Sequence, residues 1–92
     1  SSLPGTRIDP AYLRGLRAQA MVAEAVGAYE RGEMARARAL YVAAEGEPGG
    51  QQARVLNGLY LTNWALGRRA EAEAAFGRLV DYGLSRNRLA VK

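Results

Sequence analysis

The apolar residues of this chain recur at intervals of three and four, the spacing that places side chains on one face of an α-helix. The clearest case lies in the last third of the chain. Its apolar positions are Ala72, Ala75, Phe76, Leu79 and Val80. The pattern predicts a helix that packs this face into the core.

The segment from about 51 to 66 is apolar around most of its circumference. Val55, Leu56, Leu59 and Tyr60 form one stripe, and Leu61, Trp64 and Ala65 lie around the side. A helix with this pattern packs against neighbours on two sides or offers one face to a partner. The large side chains of Tyr29, Val26, Leu61 and Trp64 are therefore either core residues or binding residues, and the pattern leaves both interpretations open.

Glycine and proline residues divide the chain into four predicted helices. Asp9 followed by Pro10 predicts the first start, because aspartate caps free N–H groups and proline suits the first helical position. We expect helices over about 10–31, 34–45, 51–66 and 69–82. Gly32, Gly67 and Gly83 are predicted stops, as is the glycine-rich loop at 46–50. A break at Gly15 also stays open, because glycine costs a helix about 1 kcal/mol relative to alanine.

The chain repeats itself at a spacing of 35 residues, since the segment from Gly32 to Tyr41 recurs from Gly67 to Phe76. A period of this length is typical of stacked helical hairpins. The residues resemble a tetratricopeptide repeat. Its turn glycine, small, aromatic and second small or apolar positions are filled by Gly32, Ala37, Tyr41 and Ala44, and again by Gly67, Ala72, Phe76 and Leu79. The first helix of each copy departs further from the family's pattern.

The resemblance implies an all-α fold of two antiparallel hairpins in an α-solenoid-type arrangement that acts as a noncatalytic protein-interaction scaffold. In that family the first helix of each hairpin forms the inner surface. The candidate partner-binding residues are therefore Val22, Val26 and Tyr29, with Gln19 beside them, and Arg54, Asn57, Leu61 and Trp64. Because two repeats are fewer than the three that usually form a stable stack, homo-oligomerisation through the same face is an alternative.

Charge supports a second alternative, nucleic-acid binding. The chain has 13 basic and 9 acidic residues, a net charge of +4, and every basic residue except Lys92 is arginine. Acidic residues interrupt most helix faces, which disfavours this class. Within the repeats, Arg36 and Arg38 stand where Glu71 and Glu73 stand 35 residues later. These opposite charges either align neighbouring helices or belong to two solvated faces.

The composition argues against catalysis. Histidine and cysteine are absent and the serines are Ser1, Ser2 and Ser85, so no Ser-His or Cys-His pair can form. We expect no cofactor or metal site, because Glu45 and Glu47 are too few for a calcium or magnesium site. No apolar run approaches a transmembrane length. The sequence predicts a protein that is not an enzyme.

A longer resemblance concerns Val55 to Leu61, Gly67 to Ala72 and the tail from Leu79 to Lys92. These segments resemble the helical region preceding an OmpA-like domain in bacterial envelope proteins. That resemblance implies a periplasmic or envelope-associated location and an envelope partner; otherwise we expect a cytoplasmic protein. The predicted organisation is an N-terminal tail over 1–9, a tetratricopeptide-like helical domain over 10–84, and a linker or the start of a truncated following domain over 85–92.

Overall fold

The structure is a computed structural model that describes residues 8–47 and 51–90, with side chains as far as residue 85. Within these ranges the chain forms four α-helices and no strand. They are α1 (Pro10–Glu30), α2 (Met34–Ala44), α3 (Gln52–Ala65) and α4 (Arg69–Ala90). The prediction of an all-α fold with four helices is confirmed.

The helices pack in chain order. α1 contacts α2, α2 contacts α3, and α3 contacts α4, while α1 also reaches α3. Short turns join α1 to α2 and α3 to α4, so each pair forms a helical hairpin. Two hairpins in series would give this order of contacts. The solenoid-type arrangement itself stays a prediction.

The helix ends follow the predicted punctuation in most places. The backbone N–H of Ala11 donates to Oδ1 of Asp9 at 3.0 Å, which caps α1 beside Pro10. α1, α2 and α3 are each followed by a glycine with a positive φ, at Gly32 (81°), Gly46 (84°) and Gly67 (76°). L-residues with a side chain rarely adopt this conformation, so glycine suits these stops. α1 runs through Gly15 without the break that the sequence left open.

α4 differs from the prediction because it continues past Gly83 to Ala90. Gly83 has no positive φ and lies within the helix. The expected stop at Gly83 is therefore wrong, and residues 85–90 are helical. Residues 91 and 92 lie outside the described part, as do residues 1–7 of the predicted tail and residues 48–50 of the predicted loop.

The core is built largely from alanines, with a few larger side chains among them. The fully or nearly buried apolar residues are Ala18, Val22, Ala25, Ala28, Ala37, Tyr41, Ala44, Val55, Leu56, Leu59, Ala72 and Ala75. Small side chains at helix contacts let the backbones approach closely. The predicted core face of α4 is only partly correct, since Ala72 and Ala75 are buried but Phe76 is 50% exposed.

Candidate functional site

A cavity with a volume of about 400 Å³ lies between α1, α2 and α3. Its apolar walls are Val26, Tyr29, Tyr41 and Leu61, and its polar lining is Glu30, Arg54 and Asn57, with Gly58 between them. An apolar pocket with a few polar groups at its edge is the usual form of a binding site. This cavity is the candidate functional site.

Helical spacing brings the lining residues together. On α1 they stand at i, i+3 and i+4 (Val26, Tyr29 and Glu30), and on α3 at i, i+3, i+4 and i+7, beginning with Arg54. Residues at these spacings share one face of a helix. The two faces meet because α1 contacts α3 directly.

Gly58 and Tyr41 form a close contact between the two hairpins. A Cβ atom placed on Gly58 would overlap the ring of Tyr41, which lies directly against the α3 backbone. Tyr41 is only 5% exposed and belongs to the main core cluster. The absence of a side chain at Gly58 therefore fixes both the approach of α3 and the position of one cavity wall.

The electrostatics of the cavity involve the Tyr41 phenol and the charges of Arg54 and Glu30. Burial raises the pKa of Tyr41, the Arg54 guanidinium opposes that shift, and Tyr29 adds to it. Neither Arg54 nor Glu30 forms an ion pair with any residue that the structure describes. The exposed guanidinium of Arg54 is therefore available to a carboxylate from a ligand.

The structure brings five of the seven predicted partner-binding residues to this cavity. They are Val26, Tyr29, Arg54, Asn57 and Leu61. The other two lie elsewhere: Val22 is 1% exposed in the core, and Trp64 is 50% exposed on another side of α3. Val22 belongs to the core cluster that includes Ala37 and Tyr41 of α2, and the Trp64 ring lies beside Tyr60 and Arg69. Gln19 is exposed and outside the cavity lining.

Sequence reasoning missed three lining residues: Glu30, Tyr41 and Gly58. Tyr41 is on the second helix of its hairpin, which the family resemblance assigns to the outside of the array. The glycine itself could have indicated Gly58, since a glycine inside a helical pattern often has a packing reason. Glu30 follows Tyr29 directly and carried no separate signal.

A second apolar surface lies on α3 and α4 and is largely exposed. We call it the aromatic face: the exposed Trp64, Phe76, Val80 and Leu84, with the partly buried Tyr60 beside them. The Tyr60 ring lies 6.2 Å from that of Trp64 and 5.4 Å from that of Phe76, between centroids. The guanidinium of Arg69 lies 5.1 Å from the Trp64 ring centroid, within cation–π range. Large exposed apolar patches commonly mark interaction sites, so the aromatic face is a second candidate surface.

A smaller cavity of about 150 Å³ lies between α2, α3 and α4, and Arg38 and Glu71 both line it. Nε of Arg38 donates to Oδ1 of Asn63 at 2.6 Å. Arg78 of α4 pairs with Glu45 at 2.8 Å, which joins the two hairpins at this side. Both partners are partly exposed, so the pair contributes little to stability.

The ion pairs of the charged repeat positions mostly stay within one hairpin. Arg36 pairs with Glu24 at 2.9 Å and with Glu33 at 3.5 Å, and Glu71 pairs with Arg68 at 3.3 Å. The side-chain hydrogen bond from Arg31 lowers the pKa of Glu33. No ion pair among the described residues joins Arg36 or Arg38 to the glutamates of α4.

Comparison of the chain with family models, with curated proteins and with solved structures gives no match. The tetratricopeptide resemblance therefore rests on the motif residues themselves. None of the described helices combines the length and apolarity needed to cross a membrane. Over the same residues, no three carboxylates gather as a metal ion would require.

Proposed function

We propose that this chain is a noncatalytic protein-interaction scaffold that binds a short peptide segment of a partner in the 400 Å³ cavity. One observation carries the proposal: five residues expected at the inner surface line a single cavity whose arginine has no ion-pair partner among the described residues. Five arginines outside the cavity are engaged with carboxylates, namely Arg14, Arg31, Arg36, Arg68 and Arg78. Arg54 is the arginine of the cavity lining, so it is the group there that can attract an anionic ligand.

The lining indicates the chemistry of the peptide. Val26, Leu61 and the two tyrosine rings suit one aliphatic or aromatic side chain, and the volume falls within the range of about 300–1,000 Å³ usual for ligand sites. Arg54 suits a carboxylate adjacent to that anchor. The side chain of Asn57 can both donate to and accept from a peptide backbone. A net charge of +4 also favours an acidic partner.

Selection from a random peptide library displayed on phage tests this specificity directly. We expect the wild-type chain to enrich sequences with an apolar anchor next to aspartate or glutamate. A synthetic peptide of the enriched sequence should bind at least about tenfold more weakly to Arg54→Glu, because the reversed charge repels its carboxylate.

Arg17→Glu is the matched control. Arg17 is exposed on α1, lies outside the cavity and forms no ion pair within the described residues, so the change in net charge is identical. Enrichment of no common motif, or equal weakening by both reversals, contradicts the proposal. In a parallel titration, a DNA duplex that bound more tightly than the selected peptide, and weakened steeply with salt, would instead favour the nucleic-acid alternative.

A further inference from the structure

The aromatic face occupies the position in the second hairpin that is covered in the first. Moving back 35 residues from Tyr60, Trp64 and Phe76 leads to Ala25, Tyr29 and Tyr41. Those earlier positions form the surface of α1 and α2 on which α3 packs. Tyr41 is 5% exposed beneath α3, whereas Phe76 is 50% exposed. The aromatic face thus corresponds to the surface of the first hairpin that α3 covers. Within the described residues, no helix covers the aromatic face.

The complementary half of that contact also recurs, on α1. The buried side of α3 that faces the first hairpin includes Val55, Gly58 and Thr62. The residues 35 positions earlier are Ala20, Ala23 and Gly27, of which Ala20 and Ala23 are exposed. Together with the exposed Leu16, these three residues form what we call the alanine face. Its small side chains allow another helix pair to approach closely, as Gly58 allows within the chain.

We infer that a second copy of this chain covers the aromatic face, docking through its alanine face as α3 docks on the first hairpin. Phe76 of one copy would then lie under Ala23 of the next, as Tyr41 lies under Gly58. Ala23 has one methyl more than Gly58. The exposed ring of Phe76 has room to lie further out than the buried ring of Tyr41.

The charges of the repeat fit this arrangement. Within one chain Arg38 of α2 and Glu71 of α4 line the same small cavity. At a junction between copies the corresponding positions are Glu73 of one copy and Arg36 of the next. At the junction the glutamate belongs to the first copy and the arginine to the next, so the two charges are again opposite. Glu73 forms no ion pair with any described residue of its own chain, and at the junction it would share Arg36 with Glu24 and Glu33.

The junction also repeats the apolar part of the large cavity, while glutamine takes the place of its arginine. Its counterparts would be Leu61, Trp64 and Phe76 from one copy and Gln19 and Val26 from the next, each 35 residues from a lining position. Because the two docking faces differ, the contact is heterologous and does not close a pair. Copies would therefore add in series. One end of each assembly would carry a free alanine face, and the other end would carry a free aromatic face.

Sedimentation velocity of separate and mixed variants tests this geometry. Ala23→Arg blocks the alanine face, and Phe76→Glu blocks the aromatic face. We expect the wild type to form larger species as concentration rises, and each variant alone to stay monomeric. An equimolar mixture of the two variants should give a one-to-one heterodimer and nothing larger, because each retains the face that the other lacks.

Ala35→Arg is the matched control. It adds the same charge at an exposed position of α2 opposite the core, and it should associate like the wild type. Ala20→Arg and Trp64→Glu replace the first pair if either blocked variant loses its helical circular-dichroism spectrum. A wild type that stays monomeric up to millimolar concentration overturns the inference. So does an Ala23→Arg chain that still dimerises, because that result would indicate a two-fold contact through the aromatic face alone.

Discussion

The two hairpins carry an aromatic residue at the same repeat position with opposite outcomes. Tyr41 in the first hairpin is 5% exposed and belongs to the core, while Phe76 in the second is 50% exposed. The difference lies in the neighbours, since α3 covers Tyr41 and no described helix covers Phe76. The repeat thus places an aromatic residue at both positions, but the residue is buried only where a following helix covers it.

The hairpins differ in length as well. α2 has 11 residues and is followed by Gly46 in the left-handed conformation, whereas α4 has 22 residues and continues through Gly83. A glycine favours a helix end without requiring one, because it also occurs within helices at a modest cost. The extension past Gly83 carries the exposed Leu84 of the aromatic face, so it enlarges the exposed apolar surface.

Truncation of the two aromatic residues gives the largest expected contrast. Tyr41→Ala should lower the free energy of unfolding by about 3–5 kcal/mol, because it leaves a cavity in the core and uncovers Gly58. Phe76→Ala should cost less than about 1.5 kcal/mol, since its ring contacts Tyr60 but is half exposed. Urea unfolding at a concentration where both variants are monomeric measures the difference. Equal losses would contradict the contrast between hairpins.

Two glycines on the helices of the second hairpin provide the next contrast. Gly58→Ala should destabilise the chain by about 1–3 kcal/mol, because the added Cβ overlaps the Tyr41 ring and the two hairpins must move apart. Gly77→Ala is the matched control: its added Cβ meets no atom, and the variant should gain about 0.5–1 kcal/mol from helix propensity. Thermal unfolding measures both. A Gly58→Ala chain as stable as the wild type would show that the close contact between hairpins is not needed.

The smallest effect concerns pH. Burial raises the pKa of Tyr41 in the folded chain, so the unfolded chain loses this proton first as the pH rises. The stability contributed by the neutral phenol is complete below the unfolded pKa near 10 and declines as the pH passes through the folded pKa. Tyr41→Phe gives the first hairpin the aromatic residue that the second has at Phe76. Because phenylalanine has no titratable hydroxyl, the variant should lack this contribution to the loss of stability at alkaline pH. Urea midpoints of both chains above pH 9 check it, and parallel declines would exclude Tyr41 as the cause.

Much of the fold could be predicted because its signals are local. Asp9 caps its own helix, and Gly32 and Gly67 end theirs, through interactions within a few residues. The candidate cavity was predictable in part for the same reason, since Val26 and Tyr29 share a helical face whatever they pack against. The positions of Trp64 and Tyr41 relative to the cavity were not, because they depend on how α3 is rotated against the first hairpin.

The sequence by itself determined the four helices, most of their ends and the repeat of 35 residues, because helical periodicity and glycine conformation act over short distances. Only the tertiary structure decided which equivalent residues are buried. The contact of Gly58 with Tyr41 sets the packing of α3, and that packing leaves one copy of the aromatic position inside the protein and the other at its surface.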